Sequence, residues 1–287
     1  MKIDTHQHFW KYNDRDYGWM GPGMEALKRD RLPADLAPLL KENGIDATVT
    51  VQARQCLEET EFLLQLADEN SFIKAVVGWV DLPSPQLELQ LERFSWHPKL
   101  RGVRHVIHDE PDDQFMMRDD FIHGIGKLRK YDLTYDLLLF PKHIPIAAQL
   151  VAKFPEQTFI LDHIAKPPIK DLGPRDGRIE PWKSDIRQLA SFKNVSCKIS
   201  GMVTEADWHN YKPEDFTPYM DIVLEAFGTE RIMLGSDWPV CTLAGQYEQV
   251  ISIAADYVKK LSPNEQTAIW SENPKRFYKI RTTNQTA

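Results

Sequence analysis

The sequence is poor in cysteine and has no long apolar run. Its 287 residues include only three cysteines, Cys56, Cys197 and Cys241, an odd number at distant positions. This usage excludes a disulfide framework and a Cys-x-x-Cys metal site, and it fits a reducing compartment. No apolar stretch approaches the roughly eighteen residues that a membrane-spanning helix needs. We therefore expect three packing cysteines in a protein without a membrane segment.

The chain also lacks an excess of positive charge. It has 35 lysines and arginines against 42 acidic residues, for a net charge of -7. Nucleic-acid binding needs clustered lysine and arginine, so we expect a small-molecule partner and no nucleic acid. The first residues show no secretory leader pattern, and we expect a cytoplasmic location. Surface aromatic residues are compatible with a homodimer, but nothing in the sequence requires one.

Segments typical of strands alternate with segments typical of helices along the whole chain. This alternation predicts a parallel sheet, and eight such units predict a (β/α)8 TIM barrel. A doubly wound open sheet is the alternative. No linker divides the chain, so we expect one barrel domain over residues 1–287, with a C-terminal helix at 263–278 packed on it. The predicted strands are 3–9, 47–52, 73–80, 100–106, 134–139, 158–163, 195–200 and 232–237.

Two histidines, His6 and His8, lie two residues apart in the first predicted strand. Side chains alternate between the two faces of a strand, so both imidazoles point the same way and can reach one metal ion or one substrate together. Taken alone, the pair is equally typical of surface residues without a role. Its meaning depends on what the other strands bring to the same place.

Polar side chains occur at or near the ends of the other predicted strands, where a (β/α)8 barrel has its active site. Each of them alone could be structural, as a hydrogen-bonded histidine, a turn-capping aspartate or a stabilising ion pair. Their convergence favours a function, because a charged group in a barrel mouth costs desolvation free energy. These residues are Gln52, Trp79, Arg104, Asp136, His163, Lys198, Ser200 and Asp237.

Three imidazoles and one carboxylate among these residues suit a divalent ion such as zinc, with an open position for water or substrate. Such an ion would lower the pKa of water or polarise a carbonyl group. Asp237 could then act as the general base, while Arg104 and Lys198 stabilise negative charge on the substrate. The four candidate ligands are His6, His8, His163 and Asp237.

Six motifs cover essentially the whole chain: DTHQHFW at 4–10, VGWVD at 77–81, GVR at 102–104, LDHIAKP at 161–167, KISG at 198–201 and GSDWP at 235–239. In this order they resemble the sugar-lactonase branch of the amidohydrolase superfamily, within amidohydrolase-related family 2. The resemblance implies a (β/α)8 barrel that opens an aldonolactone, such as an L-fucono- or L-rhamnonolactone, to its aldonic acid. It implies catalysis by Asp237, His163 and Arg104. Substrate contacts are expected from Gln52, Trp79, Asp136, Lys166, Lys198 and Ser200.

Two departures from the wider superfamily limit the metal content. No lysine that could be carbamylated ends the fourth or fifth predicted strand, and no histidine clearly ends the fifth. We therefore expect at most one divalent ion, zinc or manganese, and metal-independent catalysis stays an alternative. A metal-dependent decarboxylase of an aromatic or pyrone-type acid is the alternative reaction, and a non-catalytic barrel that binds a sugar acid is the alternative class. Loops 10–24, 108–118 and 166–180 should set the specificity.

Overall fold

The computed structural model describes residues 1–171 and 177–281, which form an eight-stranded sheet. The strands are β1 (Ile3–Gln7), β2 (Ala47–Val51), β3 (Ile73–Gly78), β4 (Leu100–Val106), β5 (Thr134–Leu138), β6 (Phe159–Leu161), β7 (Val195–Ile199) and β8 (Ile232–Leu234). Each strand pairs in parallel with the next one along the chain. The barrel closes between β1 and the segment after β8, where His8 N donates to Trp238 O at 2.7 Å and Asp237 N donates to His6 O at 2.8 Å. The predicted (β/α)8 barrel is confirmed.

Helices separate the consecutive strands, as the alternation in the sequence predicts. They are α1 (Pro33–Glu42), α2 (Leu57–Glu69), α3 (Leu87–Ser95), α4 (Asp119–Leu128), α5 (Ile144–Lys153), α6 (Glu180–Ala190), α7 (Thr217–Phe227) and α8 (Tyr247–Val258). After them, α9 (Pro263–Thr267) and α10 (Asn273–Phe277) are joined by a π-helical turn, Ala268–Glu272, that packs against β1 and β8. The single-domain interpretation stays a prediction, and residues 172–176 and 282–287 lie outside the described part of the chain.

The barrel wall separates two apolar clusters. On β7, Val195, Cys197 and Ile199 belong to the outer cluster that packs against the helices, because alternate side chains of a strand face opposite sides. Tyr278 and Ile280, from the end of the described chain, join the inner cluster. The strand residues of that inner cluster are Ile3, Ala47, Val49, Val51, Ala75, Val77, Ile160 and Met233.

Seven of the eight strands end one to three residues earlier than the sequence predicts, and two of these differences affect site residues. The alternation predicts strands up to residues 163 and 237, but β6 ends at Leu161 and β8 ends at Leu234. Four consecutive residues from His163 to Lys166 have left-handed φ values of 54°, 50°, 60° and 50°, and Asp237 has a φ of 59°. Such backbone is unfavourable for residues other than glycine, so the surrounding contacts must hold it. The turns change the direction in which His163 and Asp237 project.

Two smaller expectations can be compared with the structure. None of the helices in the described ranges is long and apolar enough to cross a membrane. Cys197 and Cys241 are buried and Cys56 is half-buried, and all three thiols are free. These positions agree with the expected packing role of the cysteines.

Candidate active site

Three imidazoles converge on one carboxylate oxygen at the carboxyl ends of the strands. Oδ1 of Asp237 lies 3.3 Å from His8 Nε2, 3.8 Å from His163 Nε2 and 3.9 Å from His6 Nε2. One potential ligand atom each from His6, His8 and Asp237 lie within 4.8 Å of one another. The hydrogen bonds that close the barrel at His6, His8 and Asp237 produce this convergence. The structure therefore brings together the four residues that the sequence singles out as ligands.

The second nitrogen of each imidazole has a partner that fixes the ring. His8 Nδ1 lies 2.7 Å from the carbonyl oxygen of Val51, which can only accept, so Nδ1 carries the proton and Nε2 presents a lone pair. His163 Nδ1 lies 2.9 Å from Ser200 Oγ. Metal-binding histidines are usually oriented in this way by hydrogen bonds on their other nitrogen. The donor set and its outer partners fit a single divalent ion such as zinc.

Two glycines give the histidines room. At Gly201, with a φ of 61°, an added Cβ would lie 2.4 Å from His163 Nδ1. At Gly235, an added Cβ would lie 2.7 Å from His6 Cβ. Real Cβ atoms essentially never approach so closely, so a larger residue at either position would displace a candidate ligand. These close approaches explain why the motifs at 198–201 and 235–239 each contain a glycine at this position.

A layer of buried charges lies beneath the histidines. Arg104 Nη1 donates to Asp162 Oδ2 at 3.0 Å, and Arg104 Nη2 donates to the backbone carbonyl of Gln52. Lys198 Nζ lies 2.9 Å from Asp162 Oδ1 and 2.7 Å from Asp136 Oδ2. Two cations thus face two carboxylates, which offsets much of the free energy that burying each charge alone would cost.

Burial and charge set the protonation states of the centre. Burial lowers the pKa of His6 and of His163 well below the usual imidazole value, so both rings are neutral near pH 7. Burial alone would raise the pKa of Asp237, but its interactions with the neighbouring imidazoles of His163 and His8 bring the pKa below the usual aspartate value. Neutral imidazoles and an ionised carboxylate are the forms that bind a metal or accept a proton.

A cavity of about 370 Å³ opens above this centre. Trp19 and Met24 reach it from the predicted specificity loop 10–24, and His108 and Asp109 reach it from loop 108–118. From the third predicted loop, 166–180, Lys166 lines the cavity, whereas residues 172–176 lie outside the described ranges. The wall also includes Phe140, Glu205, Trp208, Val240 and Leu243.

The predicted site residues divide between the cavity surface and the layer behind it. His8, Gln52, Arg104, His163, Lys166 and Asp237 line the cavity. By contrast, Asp136 and Lys198 are completely buried beneath the histidines, and Ser200 lies behind His163. Trp79 places its indole nitrogen 3.4 Å from His105 Nδ1.

The sequence predicts substrate contacts for Asp136, Lys198, Ser200 and Trp79, but none of these four side chains lines the cavity. Alternation along a strand indicates which face a side chain occupies, but not its depth along the barrel axis. Asp136 and Lys198 face inward as expected, yet they lie too deep to reach the cavity. Their positions indicate support of the histidines instead.

Several residues of the site have only a weak signal in the sequence. Asp162 binds both buried cations, and its place beside His163 in the motif at 161–167 was the only available sign. Glu205 and Trp208 come from the loop after β7, and Val240 and Leu243 come from the segment after β8. These residues follow the end of a strand, and that position indicates in general terms that they can belong to the site, because the loops after the strands form the mouth of such a barrel.

Comparison with known proteins agrees with this geometry. The amidohydrolase family model matches residues 3–280, so the chain belongs to the amidohydrolase family. The L-fucono-1,5-lactonase of Burkholderia multivorans is 40% identical over 286 residues, which cover 98% of this chain and 96% of that one. A crystal structure of an amidohydrolase from Burkholderia multivorans with bound zinc is 39% identical, with a TM-score of 0.94 over 98% of this chain and 100% of that one.

A more distant likeness concerns the alternative reaction. The structure of 2,6-dihydroxybenzoate decarboxylase superposes with a TM-score of 0.67 over 97% of this chain and 98% of that one, at 14% identity. At this level of identity the likeness shows the fold alone. The family resemblance that the motifs indicate is confirmed, and the decarboxylase alternative has less support.

Proposed function

We propose that this protein hydrolyses a sugar lactone to its aldonic acid, and that its substrate is L-fucono-1,5-lactone or a closely related sugar lactone. The observation that carries the proposal is the convergence of three imidazoles on Oδ1 of Asp237 at the floor of a cavity. The relative named L-fucono-1,5-lactonase, matched over nearly the whole of both chains, supports the substrate class. A cavity of about 370 Å³ is at the small end of the range for small-molecule sites, as a single sugar ring requires.

In this proposal Asp237 moves the proton. Its ionised carboxylate takes a proton from water as the water oxygen bonds to the carbonyl carbon of the lactone. The resulting oxyanion then re-forms a carbonyl group as the bond between that carbon and the ring oxygen breaks. Asp237 returns its proton to the ring oxygen, which becomes a hydroxyl group. The aldonic acid releases a proton into solution near pH 7, so turnover can be followed as acid release.

Fixed positive charge stabilises the oxyanion. Arg104 lines the cavity, and its guanidinium is held by Gln52 and Asp162 with Nη1 3.3 Å from His6 Nε2. A cation held in this way lowers the free energy of negative charge that develops on the carbonyl oxygen. A divalent ion bound by the three histidines and Asp237 would supply Lewis-acid polarisation and a water of lower pKa.

The cavity walls match the two kinds of surface on a sugar lactone. Trp19 and Trp208 offer aromatic faces to the C–H groups of the ring. Asp109 and the ion pair between Lys166 Nζ and Glu205 Oε1, at 2.5 Å, offer donors and acceptors to the hydroxyl groups. We propose that these walls select the sugar, together with the loops that carry them.

The experiment that tests the proposal is a panel of aldonolactones in weak buffer, with acid release followed by a pH indicator. The panel contains L-fucono-, L-rhamnono-, L-galactono- and D-arabinonolactone, each measured with and without a chelator and with zinc or manganese restored. We expect rapid release on at least one member, above the spontaneous hydrolysis of that lactone. Loss of activity under the chelator and recovery with metal would place a required ion at the histidines.

Two other results would contradict the proposal. Release of carbon dioxide from aromatic or pyrone-type acids, with no lactone hydrolysis, would favour the decarboxylase. Saturable binding of an aldonic acid without turnover of any lactone, in the presence of metal, would favour the non-catalytic barrel.

A further inference from the structure

We propose that Tyr278, acting through Asp136 and Lys198, is a positioning residue for His6. The proposal makes the C-terminal segment a part of the support of the active site. It rests on the proposed function only insofar as His6 belongs to the reaction centre, and its test includes a measurement that needs no lactone.

Tyr278 enters the barrel interior because of the way α10 ends. Tyr278 N donates to Pro274 O at 3.0 Å, Lys279 has a left-handed φ of 49°, and Ile280 N donates back to Lys275 O at 2.9 Å. The bond from Ile280 N to Lys275 O around a left-handed residue is the long-range bond of a Schellman turn, in which the residue after the left-handed position makes an apolar contact. Tyr278 and Ile280 are thereby placed among the apolar side chains inside the barrel.

The hydroxyl of Tyr278 meets a carboxylate rather than an apolar side chain. It donates to Asp136 Oδ2 at 2.5 Å, and the same oxygen accepts from Lys198 Nζ at 2.7 Å. Oδ1 of Asp136 accepts from Thr134 Oγ1 at 3.2 Å. Tyr278, Asp136 and Lys198 are all fully buried, so no water competes for these positions. Three donors from three parts of the chain thus fix one carboxylate.

Lys198 connects the fixed carboxylate of Asp136 to the imidazole of His6. Its Nζ lies between two carboxylates, 2.7 Å from Asp136 Oδ2 and 2.9 Å from Asp162 Oδ1, and it lies 3.3 Å from His6 Nδ1. On the other side of the ring, Arg104 Nη1 lies 3.3 Å from His6 Nε2, so each ring nitrogen of His6 has a fixed cation beside it.

His6 Nδ1 also faces a carboxylate oxygen, Asp162 Oδ1, at 3.3 Å. With the ring proton on Nδ1 toward Asp162, Nε2 of His6 is the nitrogen that can bind a metal ion beside Asp237. The position of Lys198 between Asp136 and Asp162 therefore determines how closely the Lys198 cation and Asp162 Oδ1 approach His6 Nδ1.

Filling the barrel would not require this hydroxyl. Phenylalanine would supply the same apolar ring, whereas a buried ion-pair network stabilises a fold less than apolar packing of the same volume does. Without the hydroxyl, Asp136 would have one donor fewer and would draw Lys198 more strongly. Lys198 would then lie farther from Asp162, and His6 Nδ1 would have a less well fixed acceptor.

The test compares Tyr278→Phe with a matched substitution, Tyr257→Phe. Tyr257 also donates to a carboxylate, Asp221 Oδ1 at 2.6 Å, but this bond joins α7 and α8 away from the site. For each variant, the zinc dissociation constant is measured by competition with a chromophoric chelator. Lactone kinetics give kcat and KM, and thermal unfolding gives Tm. Asp136→Asn, which keeps the shape of the side chain and removes its charge, is the second variant.

For Tyr278→Phe we expect about tenfold weaker zinc binding and about tenfold lower kcat with KM unchanged, at the lower end of the effects of residues that orient metal ligands. Asp136→Asn should also weaken zinc binding and lower kcat, because without the Asp136 charge Lys198 moves toward Asp162 and competes with His6 Nδ1 for Oδ1. This variant decides the question if Tyr278→Phe does not fold. Tyr257→Phe should change Tm alone. Wild-type zinc affinity and kcat in Tyr278→Phe, or equal losses in both tyrosine variants, would overturn the proposal.

The two proposals fail separately. If the wild-type protein hydrolyses no lactone, the proposed function is wrong, whereas the zinc affinities still test whether Tyr278 positions His6. If lactone hydrolysis is found and Tyr278→Phe binds zinc as the wild type does, only the positioning role is wrong.

Discussion

The carboxylate of Asp4 accepts two hydrogen bonds from Ser236, one from the backbone nitrogen at 2.9 Å and one from Oγ at 2.6 Å. Ser236 Oγ itself accepts from Trp238 N at 3.0 Å, and Tyr247 donates its hydroxyl to Asp4 Oδ2 at 3.0 Å. Asp237 lies between Ser236 and Trp238. These bonds therefore hold the left-handed backbone of Asp237 and direct its carboxylate at the three histidines.

Ser236→Ala should weaken the alignment of Asp237. We expect kcat to fall about tenfold with little change in KM, and the free energy of unfolding to fall by about 1–2 kcal/mol because a buried hydrogen bond is lost. Steady-state kinetics and urea unfolding measure the two effects. Ser252→Ala is the control, since Ser252 Oγ donates to Gln249 O at 2.8 Å within α8. Equal kcat values in both variants would show that Ser236 does not position Asp237.

Gly201→Ala should displace His163, because the new methyl group would lie 2.4 Å from Nδ1 of that ring. Gly44 provides a matched control, since its φ of 64° is close to the 61° of Gly201 but nothing lies within 4 Å of an added Cβ. Both substitutions should cost about 1–2 kcal/mol of stability from the left-handed backbone. Only Gly201→Ala should lose lactone hydrolysis and metal affinity. Full activity in a folded Gly201→Ala variant would contradict the placement of His163.

Lys198 and Lys166 should respond differently to the same substitution. Lys198→Met leaves Asp136 and Asp162 with less compensating charge, so we expect the free energy of unfolding to fall by about 3–5 kcal/mol. Lys166→Met acts at the cavity and should raise KM severalfold, with stability changed by less than about 0.5 kcal/mol. Urea unfolding and kinetics on both variants test this. A fully stable Lys198→Met variant with a raised KM would instead indicate that Lys198 contacts the substrate, as the sequence predicts.

Trp208→Ala should weaken substrate binding without affecting the chemical step. Trp208 forms part of the cavity wall and holds its indole nitrogen 2.9 Å from Thr204 O. Removal of an interaction made equally in the ground and transition states raises KM and leaves kcat unchanged, and we expect about a tenfold rise. Trp96→Ala is the control, because Trp96 is 75% exposed and does not line the cavity. An unchanged KM in Trp208→Ala would place the substrate elsewhere.

The fold can be predicted from the sequence because each strand and each helix has its own local pattern of apolar and polar residues. The β2 segment Ala47–Val51 alternates apolar and polar side chains, the other strands are also short, and helical sequence separates each strand from the next. The candidate ligands could be predicted for the same reason, since His6 and His8 share a face and the carboxyl ends of barrel strands form the mouth. These expectations require only the alternation of side chains along a strand and the rule that the carboxyl ends of the barrel strands meet at one mouth.

Depth and tertiary contacts could not be predicted in this way. The period of a strand indicates that Lys198 faces inward, but not that it stops between Asp136 and Asp162 below the cavity. The left-handed turn at His163 depends on contacts with residues far along the chain, such as Gly201. Tyr278 lies 142 residues from Asp136, and nothing local to either residue indicates that they meet.

The measurement that tests the account most directly is acid release from L-fucono-1,5-lactone by the wild-type protein and by Asp237→Asn, both loaded with zinc. Asp256→Asn, on the surface of α8, serves as the control for loss of a carboxylate. We predict rapid turnover by the wild type and the control, and a kcat at least about a hundredfold lower in Asp237→Asn, as loss of a general base requires. Near-normal turnover by a folded, zinc-loaded Asp237→Asn would contradict the central role of this carboxylate.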